Sequence, residues 1–128
     1  MKLQNDTYVQ KAEGVITALT KNTDKWGNPV MVTTSQIRNL LGMTTDIFNE
    51  VRTIKEEKLP EEIRGRINYL KIRCLYEAGR DDKVKQFVEK GEIIACIDEI
   101  QGLRSRYLLF SKYMEALVAY HKYLGGKD

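Results

Sequence analysis

The chain has 128 residues, of which 42% are hydrophobic and 30% are charged, as in an ordinary globular protein. This length favours one domain, residues 1–128, and the formal net charge of +3 does not by itself indicate a nucleic-acid binder. No apolar run is long enough to cross a bilayer and MKLQNDTYVQ lacks the apolar segment of a signal peptide, so we expect a cytoplasmic protein without a membrane partner.

The first predicted helix begins at Asp6 or Thr7, because either side chain can cap it. Its apolar positions share one face: Tyr8, Ala12, Val15, Ile16 and Leu19. The next segment, KNTDKWGNPVMV, is predicted to be a loop that turns at 27–29, where Gly27, Asn28 and Pro29 follow one another. We expect Trp26 to pin this loop to the body of the protein.

The second predicted helix begins after Thr33, which has capping-box spacing to Gln36. Its apolar face comprises Ile37, Leu40, Leu41, Thr44, Ile47, Phe48, Val51 and Ile54. This period passes through Gly42 without a break, so we predict one helix that is at most bent there.

Three further helices are predicted. The third begins at Pro60, with Glu61 and Glu62 in its first turn, and ends at Gly79. Its buried side comprises Ile63, Ile67, Leu70, Cys74 and Ala78. The fourth begins at Asp81 or Asp82 and is predicted to continue past Gly91; its apolar residues are Val84, Phe87, Val88, Ile93, Ile94, Ile97 and Ile100.

The last predicted helix follows a weak joint at Gly102 and is stopped by Gly125 and Gly126. Its apolar side comprises Tyr107, Phe110, Met114, Leu117, Val118, His121 and Leu124. These patterns predict an all-α fold, a compact bundle of about five helices.

Candidates for catalysis are few. His121 is the only histidine and lies in an apolar helical pattern, so we predict a packing role. Cys74 and Cys96 also lie in helical patterns and are predicted to be core residues, too few with one histidine for a zinc site. The adjacent acids Glu61–Glu62 and Asp98–Glu99 point about 100° apart on a helix and do not converge on a metal. We therefore predict no catalytic residue, no metal and no cofactor, although scattered acids could still assemble a hydrolase site.

The basic residues are better organised. On the third helix a stripe at i, i+3, i+7, i+10 and i+14 alternates cation and aromatic: Arg66, Tyr69, Arg73, Tyr76 and Arg80. Arg64 and Lys71 lie on another flank of that helix, and Arg38, Thr45 and Arg52 repeat every seven residues on the second. Rows of arginine can follow a phosphate backbone without reading sequence. A solvated face with intrahelical ion pairs explains the stripe equally well.

Residues 34–51, TSQIRNLLGMTTDIFNEV, also have the pattern of a helix-turn-helix whose turn is at Gly42. Its reading helix would begin at Thr45 and direct Asp46 and Glu50 towards the groove, where two acids repel phosphate. A dimeric DNA-binding regulator that uses residues 34–55 therefore remains the alternative function.

Several segments resemble the small helical subunit of type III-A CRISPR effector complexes. They are YVQKAEGVI (Tyr8–Ile16), VTTSQIRNLL (Val32–Leu41), YLKIRCLYEAGRD (Tyr69–Asp81), FVEK (Phe87–Lys90) and FSKYMEALVAYHKYLGGKD (Phe110–Asp128). The resemblance covers nearly the whole chain. The segment NTDKWGNPVMV is the least similar, so it implies nothing for Lys25 or Trp26.

The resemblance implies an all-helical, non-catalytic antiviral ribonucleoprotein subunit. Such subunits line up in two or more copies beside the filament that holds the CRISPR RNA. They contact the target RNA backbone or the guide–target duplex, and cleavage belongs to other subunits. In this interpretation the candidates for phosphate contacts are Arg38, Arg52, Lys55, Arg64, Lys71, Arg73 and Arg80. The helix start at Thr33–Ser35 is a further candidate.

Overall fold

The computed structural model describes residues 1–28 and 30–125. Within these residues it has six helices: α1 (Tyr8–Thr20), α2 (Thr34–Val51), α3 (Glu61–Arg80), α4 (Asp82–Lys90), α5 (Ile93–Asp98) and α6 (Arg104–Tyr123). The all-α prediction is confirmed, and the count of about five is close. In the described residues no helix is both long and apolar enough to cross a membrane.

The extra helix arises because the fourth predicted helix is divided. That helix does not continue past Gly91, as predicted, because Glu92 takes a left-handed conformation (φ 53°, ψ 36°) that ends the regular hydrogen bonding. The buried hydroxyl of Tyr113 donates to the Gly91 carbonyl oxygen at 2.8 Å, which satisfies a polar group at the bend. Both halves still bury most of their predicted apolar residues: α4 buries Val84, Phe87 and Val88, and the second half buries Ile93, Ile97 and Ile100, whereas Ile94 is partly buried.

Helix α2 runs unbroken through Gly42, as predicted. The Thr33 hydroxyl accepts from the Gln36 amide, and the Gln36 side chain accepts from the Thr33 amide, so the capping box is formed. The helix ends at Val51, and Ile54 lies beyond it. A tight turn between two short helices is therefore absent at Gly42.

Helix α3 buries the predicted face, Ile63, Ile67, Leu70, Cys74 and Ala78. Pro60 is its cap residue rather than part of its first turn, and the helix ends at Arg80, not at Gly79. The stop comes from Asp81, whose extended backbone leaves the helix and whose carboxylate accepts from the first amides of α4.

The loop between α1 and α2 differs from expectation, because Trp26 is 74% exposed and does not pin it. Instead the Asp24 carboxylate accepts from the Trp26 amide at 2.8 Å and from the Asn28 amide at 3.0 Å. The Asn22 side chain ties the loop to Gln86 of α4 at 2.7 Å. Gly27 has the positive φ of a turn, whereas Pro29, and Gly126 at the far end of α6, lie outside the described residues.

Helix α6 is the centre of the bundle and packs against α1 and α2, while α3 packs against α2 and α4. Its buried residues are Tyr107, Phe110, Tyr113, Met114, Leu117 and His121. The predicted inner face of this helix is confirmed for Tyr107, Phe110, Met114, Leu117 and His121, whereas Val118 is only partly buried and Leu124 lies after the end of the helix and is exposed. This arrangement leaves the outer side of α3 facing solvent.

Candidate nucleic-acid interface

The basic stripe predicted on the third helix lies on the outer side of α3. Tyr69 and Tyr76 are 56% and 53% exposed, so neither tyrosine belongs to the core. Arg80 is exposed, and Arg66 and Arg73 are partly exposed beside the tyrosines. The spacing therefore predicted correctly which side chains share this surface.

Arg73 and Arg80 converge on one aromatic ring. Their guanidinium carbons lie 4.8 Å and 5.6 Å from the centre of the Tyr76 ring, within the range of a cation–π contact. The Glu77 carboxylate lies 2.8 Å from a nitrogen of Arg73 and 3.6 Å from one of Arg80. The four residues form a cluster with one net positive charge, in which the two guanidinium groups are held close together.

Arg66 has a different environment, because its guanidinium forms an ion pair with Glu50 of α2. This contact links the two helices and uses part of the hydrogen-bonding capacity of Arg66. Arg66 therefore belongs to the stripe by its position on α3, but its guanidinium is engaged in the contact between α2 and α3.

The predicted residues Arg64 and Lys71 line a groove of about 300 Å³ between α3, α5 and the turn at Gly102. The Lys71 amine lies 2.7 Å from the Asp98 carboxylate, and Arg64 Nε donates to the Leu59 carbonyl oxygen at 3.1 Å. Both cations therefore already have internal partners, so their charges are less available to a ligand than those of free cations.

Arg38 lies near the start of α2 and faces a small groove of about 200 Å³ beside α6. Lys122 lines the same groove, and sequence analysis missed it because the two cations come together only when α6 packs on α2. The Thr34 hydroxyl is buried there with no hydrogen-bond partner among the described residues. The candidate helix start thus lies beside Arg38, while Thr33 is engaged in the capping box.

Arg52 and Lys55 are exposed at and after the end of α2. In the described part of the chain neither side chain forms an ion pair. The seven candidates therefore fall into separate groups. Arg73 and Arg80 share contacts with Tyr76 and Glu77, and Arg64 and Lys71 share a groove.

The groups that could support catalysis are occupied or shielded. His121 is buried and its Nε2 lies 2.7 Å from the Val32 carbonyl oxygen. Burial raises the pKa of the Cys74 thiol to about 12 and that of Cys96 to about 11, which disfavours the nucleophilic thiolate. Asp98 pairs with Lys71, and Oε1 of Glu99 accepts from the Lys2 amide, while Oε2 of Glu99 is buried with no hydrogen-bond partner among the described residues. Over residues 1–28 and 30–125 no cluster of three or more potential metal ligands is found.

Comparison with known proteins finds relatives over nearly the whole chain. The family described as Csm2 Type III-A matches residues 13–127. The CRISPR system Cms protein Csm2 of Streptococcus thermophilus is 42% identical over 126 residues, which are 98% of each chain. The protein of the same name from Mycobacterium tuberculosis H37Rv is 38% identical over 128 residues, covering 100% of this chain and 99% of the relative. Its counterpart from Enterococcus italicus is 35% identical over 94 residues, 72% of this chain and 67% of that protein.

Proposed function

Since the chain belongs to the Csm2 Type III-A family and is thus a subunit of a type III-A CRISPR complex, we propose that it is a non-catalytic subunit that binds RNA through its backbone. Its ligand is target RNA or the duplex of target and guide RNA. It makes no sequence-specific contact, and it helps to hold the assembly together through other subunits and further copies of itself.

The observation that carries this proposal is the convergence of Arg73 and Arg80 on the exposed ring of Tyr76. Guanidinium groups suit phosphate oxygens because their planar fork of donors can make two parallel hydrogen bonds. Phosphate contacts position a nucleic acid but carry no sequence information. In an RNA-guided complex, base pairing reads the sequence, so a subunit that recognises only charge and shape is sufficient.

The remaining candidates are proposed as secondary contacts. Arg38, Arg52 and Lys55 are exposed and can reach a backbone that extends beyond α3. Arg64 and Lys71 have partners within the chain, so an RNA phosphate must compete with Asp98 for Lys71. We therefore propose weaker contributions to RNA affinity from these two residues than from Arg73 and Arg80.

The proposed lack of catalysis is supported by the surroundings of the polar groups. Asp98 and Glu99 are held by Lys71 and the Lys2 amide, and His121 is buried against Val32. In the proposed function RNA and DNA cleavage are carried out by other subunits. The purified chain is accordingly expected to leave RNA and DNA intact with Mg²⁺ or Mn²⁺, and cleavage that disappears on mutation of Asp98 and Glu99 would contradict this.

The competing function, a dimeric DNA-binding regulator, requires a turn near residue 42. The unbroken course of α2 through Gly42 removes the separate reading helix on which that function depends.

A binding comparison separates the two functions. We propose titrating two complexes, which carry guides of unrelated sequence, each with its own matching target RNA, and titrating the purified chain with two duplex DNAs of different sequence, every ligand carrying the same fluorophore. RNA-backbone binding predicts similar affinities for the two RNAs. Preference for one duplex DNA sequence by the purified chain would instead support the regulator.

A further inference from the structure

The groove beside Arg38 is built by two helices, α2 and α6. It has a volume of about 200 Å³, and we call it the α2–α6 groove. Residues that line it are Thr34, Arg38, Leu41, Val118, His121 and Lys122. The members on α2 are spaced by four and three residues, and on α6 Val118 precedes the other two by three and four residues. Each helix therefore contributes one of its faces to the groove.

Two cations from different helices lie at the rim of the α2–α6 groove. Arg38 and Lys122 are exposed, and within the described part of the chain neither forms an ion pair. They differ in this respect from Lys71, which is paired with Asp98. None of the described residues that line the groove is acidic. The rim therefore offers two uncompensated positive charges to an anion.

The wall of the groove contains a hydroxyl without a partner. Thr34 Oγ1 is buried and forms no hydrogen bond within residues 1–28 and 30–125. Buried polar atoms are normally satisfied, so an unsatisfied one beside an open groove indicates a ligand or water that completes it. A threonine hydroxyl can donate or accept and rotates to suit its partner, so it fits a polar edge of either kind.

The rest of the lining is apolar or aromatic. Leu41 and Val118, one from each helix, are partly buried. His121 is 1% exposed, and its Nε2 donates to the Val32 carbonyl oxygen at 2.7 Å, which fixes the orientation of the ring. The groove thus combines an apolar and aromatic lining, a free hydroxyl and a cationic rim.

Simpler ligands leave part of this lining without a partner. A lone phosphate would satisfy the cations but would lie against the methyl groups of Leu41 and Val118. An aliphatic side chain would cover those methyl groups but would leave the Thr34 hydroxyl unpaired. A nucleotide offers a flat apolar ring, a polar edge and a phosphate together. The volume is below the range of about 300–1,000 Å³ that is usual for small-molecule sites, and it suits a single ring system.

We propose that the α2–α6 groove binds one unstacked nucleotide of the bound RNA, with its base against Leu41 and Val118. The polar edge of the base meets the Thr34 hydroxyl, and the flanking phosphates meet Arg38 and Lys122. The inference rests on the proposed RNA-binding function and adds a base contact to it. The contact does not select a sequence, because an apolar wall accepts any base and a hydroxyl can donate or accept.

Methyl NMR of the full chain tests whether a base enters the groove. We would titrate it with adenosine 5′-monophosphate and, as the matched ligand without a base, with ribose 5-phosphate. The nucleotide should shift the methyl resonances of Leu41 and Val118 through the ring current of its base. The methyls of Val9, which is 43% exposed on α1, should not move. Unmoved groove methyls, or equal affinity for ribose 5-phosphate, would overturn the proposal.

Substitutions separate the parts of the groove. Thr34→Val removes only the unpartnered hydroxyl, so the melting temperature should not fall, while nucleotide affinity should weaken about two- to tenfold, the range for one hydrogen bond. Arg38→Ala and Lys122→Ala should each weaken it by about two- to fivefold, as for one exposed ion pair. Lys85→Ala is the control, because Lys85 is an exposed cation on α4. Parental affinity in the groove variants, or equal weakening by Lys85→Ala, would overturn the proposal.

Single-stranded RNA and inorganic polyphosphate separate this site from the backbone contacts, because polyphosphate carries backbone-like charge but no bases. Val118→Trp fills the groove and should weaken binding of RNA but not of polyphosphate, whereas Val9→Trp should match the parent for both. Arg73→Ala should weaken binding of both polymers. If Val118→Trp lowers the melting temperature, Thr34→Val serves for the same comparison.

The two proposals fail in different ways in this experiment. If the groove variants bind RNA as the parent does while Arg73→Ala does not, the nucleotide inference is wrong and RNA-backbone binding stands. If Arg73→Ala binds both polymers as the parent does while the groove variants lose affinity for RNA alone, the groove inference stands and the proposed backbone surface on α3 is wrong.

Discussion

The hydroxyl of Tyr107 in α6 donates to the main-chain carbonyl oxygen of Thr44 in α2 across 2.6 Å, and both residues are fully buried. The Thr44 hydroxyl in turn donates to the Leu40 carbonyl oxygen at 3.0 Å. The first bond joins the middle of α2, two residues after Gly42, to the central helix, and the second lies within α2. Together the two bonds fix α2 as one continuous element on the side of the bundle that also supports α3.

Replacement of Tyr107 by Phe removes the hydroxyl and leaves a buried carbonyl oxygen with one partner fewer. We expect Tyr107→Phe to lower the free energy of unfolding by about 0.5–1.5 kcal/mol. Urea denaturation of the parent and variant measures this change. Tyr123→Phe is the control, because Tyr123 is 83% exposed, and a loss equal to that of Tyr107→Phe would contradict the bond.

Two glycines should respond to alanine with opposite signs. Gly42 lies within α2 and an added Cβ would meet nothing within 4 Å, so Gly42→Ala should stabilise the protein by about 0.5–1 kcal/mol. Gly102 has φ +72° and an added Cβ would lie 2.8 Å from Arg64 Cδ, so Gly102→Ala should destabilise it by about 1 kcal/mol or more. Thermal melts distinguish the two signs. Destabilisation by Gly42→Ala would indicate a break in α2.

Leu117 is fully buried on α6, which packs against α1 and α2. Leu117→Ala removes core methyl groups and leaves a cavity, so the free energy of unfolding should fall by about 2–5 kcal/mol. Glu115→Ala, at an exposed position on the same helix, should change it by less than about 0.5 kcal/mol. Equal melting temperatures for the two variants would show that the assigned inner face of α6 is wrong.

The buried thiols should make stability fall at high pH. The pKa of Cys74 is raised from 9.0 to about 12 by burial, so the folded state holds this proton more tightly than the unfolded state. The associated stability is present below pH 9 and is lost as the pH rises from 9 towards about 12. Burial also raises the pKa values of Tyr107 and Tyr113, which adds to the loss above pH 10.

Denaturant titrations at pH 8 and pH 10.5 measure this fall, and a disulfide reagent at pH 8 checks the shielding. Both thiols should react far more slowly in the folded chain than in the chain unfolded by guanidinium. Equal rates in the two states, or a stability that rises with pH over this range, would contradict the burial of Cys74 and Cys96.

The helix faces could be predicted from sequence because burial follows the helical period. Ile63, Ile67 and Leu70 repeat at this period, and the structure buries all three. The bend at Glu92 was not predicted, because the apolar period continues across it, and the hydrogen bond that the Gly91 carbonyl accepts there comes from Tyr113, a residue of another helix. Trp26 was placed wrongly because its size favours burial, while the local bonds to Asp24 determine where the loop runs.

In the candidate site too, features set by helical spacing could be predicted from sequence, whereas features set by tertiary packing could not. The alternation of cation and tyrosine indicated which side chains share the outer surface of α3, since that depends only on helical spacing. The partners of these cations could be predicted only where they lie on the same helix, as Glu77 does for Arg73. The Asp98 contact of Lys71 and the neighbourhood of Arg38 and Lys122 depend on tertiary packing and left no local signal.

The most direct test of RNA-backbone binding is the salt dependence of RNA affinity in the assembled complex. Arg73→Ala and Arg80→Ala are compared with Lys21→Ala. This control also removes one exposed cation, which lies immediately after α1, away from α3.

Each arginine change should weaken the binding of two target RNAs of unrelated sequence equally, when each RNA is tested in a complex that carries its matching guide. It should also reduce the slope of log affinity against log salt by about 0.7 per lost single-strand contact. Lys21→Ala should match the parent. RNA binding at this surface would be contradicted if both arginine variants kept the parental affinity and salt slope in complexes that contain the chain in normal amount. It would also be contradicted if the variants were lost from the complex while the free variant proteins bound RNA as well as the parent.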